Sequence, residues 1–186
     1  MEYMITGCKR LLEGGLVVLL SCLLGNMALA AQALDNYRLG AGDKIRIQVY
    51  GEKDLSVETL VDDSGTISYP FLGEIQVKGS TLREVEQRIT EGLRGDYLVN
   101  PEVTVSIVEY RHFYVNGWVK SPGSFPFQPG MTVRKAISLA GGFAERANKR
   151  ALTVVHGDDA FGKPQQIHLD DQLHPGDIIS VGRSFF

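Results

Sequence analysis

The stretch Phe113-Tyr114-Val115-Asn116-Gly117-Trp118-Val119-Lys120-Ser121-Pro122-Gly123-Ser124-Phe125-Pro126-Phe127-Gln128-Pro129-Gly130-Met131-Thr132-Val133-Arg134-Lys135-Ala136-Ile137-Ser138-Leu139-Ala140-Gly141-Gly142 decides the fold. Phe113 to Val119 is rich in aromatic and β-branched residues, which suit a pleated surface, so it reads as a strand. Ser121-Pro122-Gly123 reads as a turn, because Pro pre-sets φ and Gly tolerates positive φ. Ser124 to Phe127 is then a short return strand, and Pro129-Gly130 a second turn. Thr132 stands where a helix N-cap is wanted, and Val133, Ala136, Ile137 and Ala140 share one helical face. Gly141-Gly142 ends that helix. Together these signals predict a compact α+β unit.

Beyond this stretch, Ala151 to Val155 and Gln166 to Leu169 read as strands with a polar loop between them. Leu173-His174-Pro175-Gly176-Asp177 leads into a last strand. On the other side, Tyr37-Arg38-Leu39-Gly40-Ala41-Gly42-Asp43 opens a strand in which Ile45, Ile47 and Val49 alternate with polar residues. Ser56 to Val61, Thr66 to Tyr69 and Gly73 to Val77 are further strands, with a turn at Asp62-Asp63-Ser64-Gly65. Thr81-Leu82-Arg83-Glu84 is a capping box opening a helix whose stripe is Leu82, Val85, Ile89 and Leu93. Glu102 to Tyr110 follows as a strand. The fold class is therefore α+β, in two small tandem units. Gly42, Gly123, Gly130 and Gly142 are the turn glycines, with unusual backbone angles expected at Gly42 and Gly123.

The chain has 186 residues, 44% hydrophobic and 22% charged, with a net charge of −3. That is ordinary globular composition, with no basic field to gather nucleic acid. Lys9 and Arg10, the apolar run Leu11 to Leu24 and the small-x-small site Ala28-Leu29-Ala30 make a secretory signal pattern over residues 1–30, cleaved between Ala30 and Ala31. An uncut membrane anchor is the competing reading. Both cysteines, Cys8 and Cys22, lie in this leader, so the mature chain has no disulfide framework. Leu19-Leu20-Ser21-Cys22 loosely matches a lipobox, which makes lipidation of Cys22 a minority option.

Tyr114-Val115-x-Gly117-x-Val119-x-x-Pro122-Gly123, then Pro129-Gly130-x-Thr132-Val133, then Ala136-Ile137-x-x-Ala140-Gly141-Gly142 resembles the SLBB domain, a β-grasp-like module. Residues 112–186 are assigned to it. Tyr37-x-Leu39-Gly40-x-Gly42-Asp43, Asp62 to Gly65 with Thr66-Ile67, Leu72-Gly73-Glu74-Ile75 with Gly79, and Asn100-Pro101 with Val103-Thr104-Val105 resemble the polysaccharide biosynthesis/export N-terminal domain, assigned to residues 31–111. Their order is similar to that of outer-membrane polysaccharide exporters of Gram-negative bacteria.

That resemblance implies a non-enzymatic periplasmic component of a capsular polysaccharide or exopolysaccharide export channel, associated with the outer membrane. It implies a homo-oligomeric ring and an inner-membrane co-polymerase as partner. Larger exporters of that kind carry extra SLBB units and a C-terminal amphipathic helix lining the pore. After Ala31 the sequence has no apolar run near the roughly 20 residues a spanning helix needs, and too few strands for one chain to close a membrane barrel. A short form that relies on a separate outer-membrane β-barrel is the expectation. A monomeric periplasmic ligand-binding module is the alternative, since SLBB-like units also occur in cobalamin-binding proteins. A sugar-processing enzyme is the third reading.

Two internal echoes stand out. Gly79-Ser80-Thr81-Leu82-Arg83 parallels Gly130-Met131-Thr132-Val133-Arg134, and each opens a helix. Gly42-Asp43-x-Ile45-x-Ile47 parallels Gly176-Asp177-Ile178-Ile179-x-Val181, and each opens a strand. Two related units, or convergence on the same turn chemistry, explain them.

No catalytic residue, cofactor site or metal site is assigned from the sequence. Gly157 to Lys163 fits G-x-x-x-x-G-K, but Pro164 replaces the Ser/Thr that holds Mg²⁺ and no helix follows. The pairs Asp62-Asp63, Asp158-Asp159 and Asp170-Asp171 sit at turns. Adjacent residues of an extended chain face opposite ways, so none supplies the facing carboxyls of a glycosidase, about 5 to 9 Å apart. His112, His156, His168 and His174 show no close metal spacing. Phe113, Tyr114, Trp118, Phe125 and Phe127 suit sugar stacking, but strand alternation assigns most of them to the core.

Overall fold

A computed structural model describes residues 37–157 and 162–184. The leader with Cys22, Ala30 and Ala31, the Asp158-Asp159 pair and the terminal Phe185-Phe186 lie outside the described residues.

In the first unit, β1 (Lys44–Val49), β2 (Glu52–Leu60), β3 (Thr66–Tyr69), β4 (Gly73–Gln76), α1 (Leu82–Leu93) and β5 (Val103–Glu109) follow in order. β1 lies between β2 and β5, antiparallel to both, while β3 and β4 form a separate hairpin. The alternation of β1 buries Ile45, Ile47 and Val49. α1 starts as its sequence dictates: Thr81 Oγ1 accepts the Glu84 N–H, and the Glu84 carboxylate accepts the Thr81 N–H at 2.8 Å. Val85, Ile89 and Leu93, spaced by four, bury one face of α1 in the core that holds Ile45 and Ile47. Each such side chain contributes about 1.5–3 kcal/mol on leaving water.

In the second unit, β6 (Phe113–Gly117), β7 (Gly123–Phe125), α2 (Val133–Leu139), β8 (Ala147–Val155), β9 (Gln165–Gln166) and β10 (Ile178–Arg183) form a five-stranded sheet of order β7-β6-β10-β8-β9 against one helix. The last strand enters the middle of this sheet. It runs parallel to β6 and antiparallel to β8. Phe113, Val115, Val133, Ile137, Leu152 and Ile179 are among the residues of its core.

Two expectations are corrected here. The strand expected over Gln166 to Leu169 is only Gln165–Gln166. The chain leaves the sheet because the carbonyls of Leu169 and Asp171 accept the N–H groups of Arg134 and Val133, at 2.8 and 3.1 Å. Those are first-turn helix donors, which have no partner inside the helix. Gly123 is the second. It opens β7, pairs with Val115 and takes no positive φ, so its turn needs no glycine angle. Gly117 holds that place instead, at φ +84°, and a Cβ there would collide with the Val181 carbonyl oxygen on β10. Gly42, Gly130 and Gly142 have φ of +91°, +76° and +86°.

The two echoed segments meet in both units in the same way. Leu39 N–H bonds the Ser80 carbonyl, and Leu173 N–H bonds the Met131 carbonyl, at 2.9 and 3.0 Å. Thr81 and Thr132 cap the helices that follow. Asp43 Oδ2 accepts the N–H of Gly40, and Asp177 Oδ2 that of His174, both at 2.8 Å. Both aspartates are fully buried, and both open the central strand of their sheet. Among the described residues no helix is long and apolar enough to cross a membrane.

Gly117→Val is expected to destabilise the protein by about 3 kcal/mol or more, through backbone strain and the clash with β10. Gly123→Val is expected to leave the urea-unfolding midpoint nearly unchanged. Equal losses in the two variants would contradict this assignment of the required glycine.

Candidate functional site

The most heavily bonded polar group of the described residues is Asp43, at the seam between the units. Its turn brings Gly40 N–H to Oδ2, and the Tyr37 hydroxyl donates to the same oxygen at 2.7 Å. Arg111, at the junction of the two units, closes the set. Its backbone N–H donates to Oδ1 at 2.8 Å, and Nη1 lies 3.3 Å from Oδ2. Arg111 Nε donates to the Pro175 carbonyl at 3.1 Å, in the second unit's equivalent turn. One guanidinium therefore holds both turns. Burial, reinforced by the hydrogen bond to Asp43, holds the Tyr37 hydroxyl far above the usual phenol range, so it remains a donor. Tyr37 meets Tyr110 edge-on at 5.1 Å, and Tyr110 meets Phe127 at 5.5 Å, carrying the contact across the seam.

Beside this seam runs an open cleft of about 530 Å³. Asp63, Lys78, Glu109, His112 and Tyr114 line it, with the aliphatic Leu60. His112 lies 3.0 Å from Ser124 Oγ and 3.4 Å from the Glu109 carboxylate. This wall offers donors and acceptors of both signs with one exposed aromatic ring. Such a surface can hydrogen-bond a hydrated polymer without enclosing it.

The structure places the remaining sequence candidates as follows. Phe113 is buried and stacks on Phe125, and Phe125 and Phe127 pack against the same core. Tyr114 and Trp118 are the exposed members, with Arg183 over the indole at 5.2 Å. Asp62 accepts from Ser64 Oγ and from the Thr66 N–H and hydroxyl. The Ser64 hydroxyl first, then Thr66, hold its carboxyl down to about 2. Asp170 pairs with Arg134 at 2.7 Å, and Asp171 accepts the His168 N–H at 2.7 Å. Asp62 and Asp171 serve their own turns, and Asp170 ties its turn to α2.

The sequence reading missed two features. One is Arg111, whose partners are 64 to 74 positions away in the chain. The other is the meeting of His156, His174 and Asp177, whose donor atoms lie within 4.8 Å of one another. The assignment of no metal site rested on short-range spacing, and 18 residues separate the two histidines.

Comparison with known proteins gives the family. The family model of polysaccharide biosynthesis/export proteins matches residues 31–108, and that of the SLBB domain matches residues 112–165. The chain belongs to the polysaccharide export proteins that carry these two domains in this order. It is 35% identical to the exopolysaccharide production protein ExoF of Rhizobium meliloti, over 71% of this chain and 34% of that protein. It is 31% identical to the EPS I polysaccharide export outer membrane protein EpsA of Ralstonia solanacearum, over 75% and 43%. The polysialic acid transport protein KpsD of Escherichia coli is 25% identical, over 79% and 28%. The chain thus spans between about a quarter and a half of the length of these curated relatives.

Asp43→Ala removes the buried carboxylate that faces Arg111 and accepts from Tyr37 and Gly40, and is expected to cost about 3–5 kcal/mol. Glu58→Ala breaks only the exposed pairs with Lys44 and Arg46 and should scarcely move the unfolding midpoint. Urea denaturation of both variants checks the contrast.

Proposed function

We propose that this protein is a non-enzymatic part of a bacterial apparatus that exports exopolysaccharide or capsular polysaccharide. The observation that carries the reading is the export domain followed directly by an SLBB domain, in a chain similar to relatives named for polysaccharide production, export or transport. The chain acts in the periplasm beneath the outer membrane, as a ring of identical copies around a polymer passage. An inner-membrane co-polymerase feeds the ring, and a separate outer-membrane β-barrel completes the exit.

Two structural features support this. The cleft wall is open and mixed in charge, and a conduit must bind its polymer weakly at many places so that it can leave. Asp62, Asp171 and Asp177 each accept a backbone N–H of their own turn. For assembly, the first unit presents an exposed apolar tip of Phe71, Tyr97 and Val99. Phe71 is held at φ +65° with its ring 5.1 Å from Tyr97. A second copy covering that tip would remove it from water.

Deleting the gene is expected to stop polymer from reaching the medium while polymer builds up inside the cell. Complementation with Asp63→Asn or Asp171→Asn should restore export to near the wild-type level. Native mass and electron microscopy of the purified protein should show a closed ring. A monomer, or turnover of polysaccharide by the purified protein, would overturn the proposal.

A further inference from the structure

The two equivalent turns bury the same carboxylate and answer its charge differently. Asp43 faces Arg111. Asp177 is equally buried, yet among the described residues no lysine or arginine lies within ion-pair distance of it. Arg111 Nε donates to the Pro175 carbonyl of that turn, and its Nη1 faces Asp43. Two imidazoles stand in the place of a fixed cation. His156 Nδ1 is 2.9 Å from Asp177 Oδ1, and His174 Nδ1 is 3.7 Å from Oδ2. The rings meet edge-on at 5.8 Å. We propose that His156, His174 and Asp177 form a binding site for one divalent first-row transition-metal ion, for which Zn²⁺ is the probe.

The donor chemistry supports this. Two imidazole nitrogens and one carboxylate suit zinc and its neighbours rather than calcium or magnesium, which take oxygen donors. Tetrahedral zinc, with metal–donor bonds of about 2.0–2.2 Å, sets its donors roughly 3.3 Å apart. With one ligand atom taken from each residue, the three donors all lie within 4.8 Å of one another, so a modest closing of the set brings them to that spacing.

The scaffold is rigid where it needs to be. Ile178 pairs with Val155 across β10 and β8, which places Asp177 beside His156 at the mouth of that ladder. The His174 N–H fixes the carboxylate through Oδ2 at 2.8 Å. Such a second bond to a metal-binding carboxylate orients it toward the ion. The His174 side chain is 68% exposed, which leaves it room for the small rotation that brings its Nδ1 into range. The dication takes the place of the hydrogen between His156 Nδ1 and Asp177 Oδ1, and the neutral imidazole then carries its proton on Nε2, which leaves the Nδ1 lone pair for the ion. Three protein donors leave a further coordination position for water or for an oxygen donor on a partner.

The full-chain protein, stripped with a chelator and titrated with ZnCl₂ by calorimetry, tests the site. Wild type should hold one zinc per chain that His174→Ala lacks. Loss of a positioning partner alone costs about 10–100-fold in metal affinity, so loss of a direct ligand should cost about 100-fold or more. His156→Ala should lose the same ion. Zinc should raise the thermal midpoint of wild type and not that of His174→Ala, a variant whose exposed side chain leaves the fold intact. His112→Ala removes the other histidine–carboxylate pair and should bind zinc as wild type does. No saturable uptake by wild type, or uptake and thermal shift unchanged in both His156→Ala and His174→Ala, would overturn the proposal.

Discussion

Asp43 with Arg111 is the constraint on which the arrangement of the molecule depends. A carboxylate with no solvent exposure must be matched by charge and by hydrogen bonds, or it destabilises the fold. Here Tyr37, Gly40 and both the backbone and the side chain of Arg111 supply them. Arg111 is also the residue where the first unit hands over to the second, and its Nε holds the Pro175 carbonyl. The charge that stabilises one turn therefore also positions the other. Gly40 and Gly176 keep the guanidinium's path open, since a Cβ at either would press on Arg111.

From this seam the units follow one plan with different outcomes. In each, a leucine pairs with the residue ahead of a threonine-capped helix, and a buried aspartate opens the central strand. The first unit meets that strand at its start and surrounds it with antiparallel partners. The second meets it at its end, and it enters between β6 and β8 with one parallel neighbour. A parallel neighbour needs a long crossover, which α2, β8 and β9 provide. Gly117 follows from that arrangement, because the β10 backbone runs against it where a Cβ would stand.

For the proposed role in polymer export, the side chains that matter are the ones the fold leaves outward. Alternation along β6 sends Phe113 and Val115 to the core and Tyr114 to the cleft wall. The wall's charges are of both signs, so neither a neutral nor an acidic polymer is trapped there by a uniform field. Asp62, with three donors, fixes the turn that carries Asp63 to this surface.

The sequence by itself determined the local elements and the order of the two domains. The capping box at Thr81 and Glu84, the Val85-Ile89-Leu93 stripe and the alternation of Ile45, Ile47 and Val49 act through neighbours a few residues away. Such short-range physics is legible in a string. Both domain resemblances rested on short motifs of this kind, each with its own spacing of glycines, prolines and apolar residues. Tertiary structure alone decided the parallel placement of β10, the exchange of Gly123 for Gly117 as the glycine the sheet requires, and the early end of β9. It also decided which buried aspartate would face an arginine and which would face two histidines. Each of these depends on residues tens of positions apart being brought to one point, and only the closed chain does that.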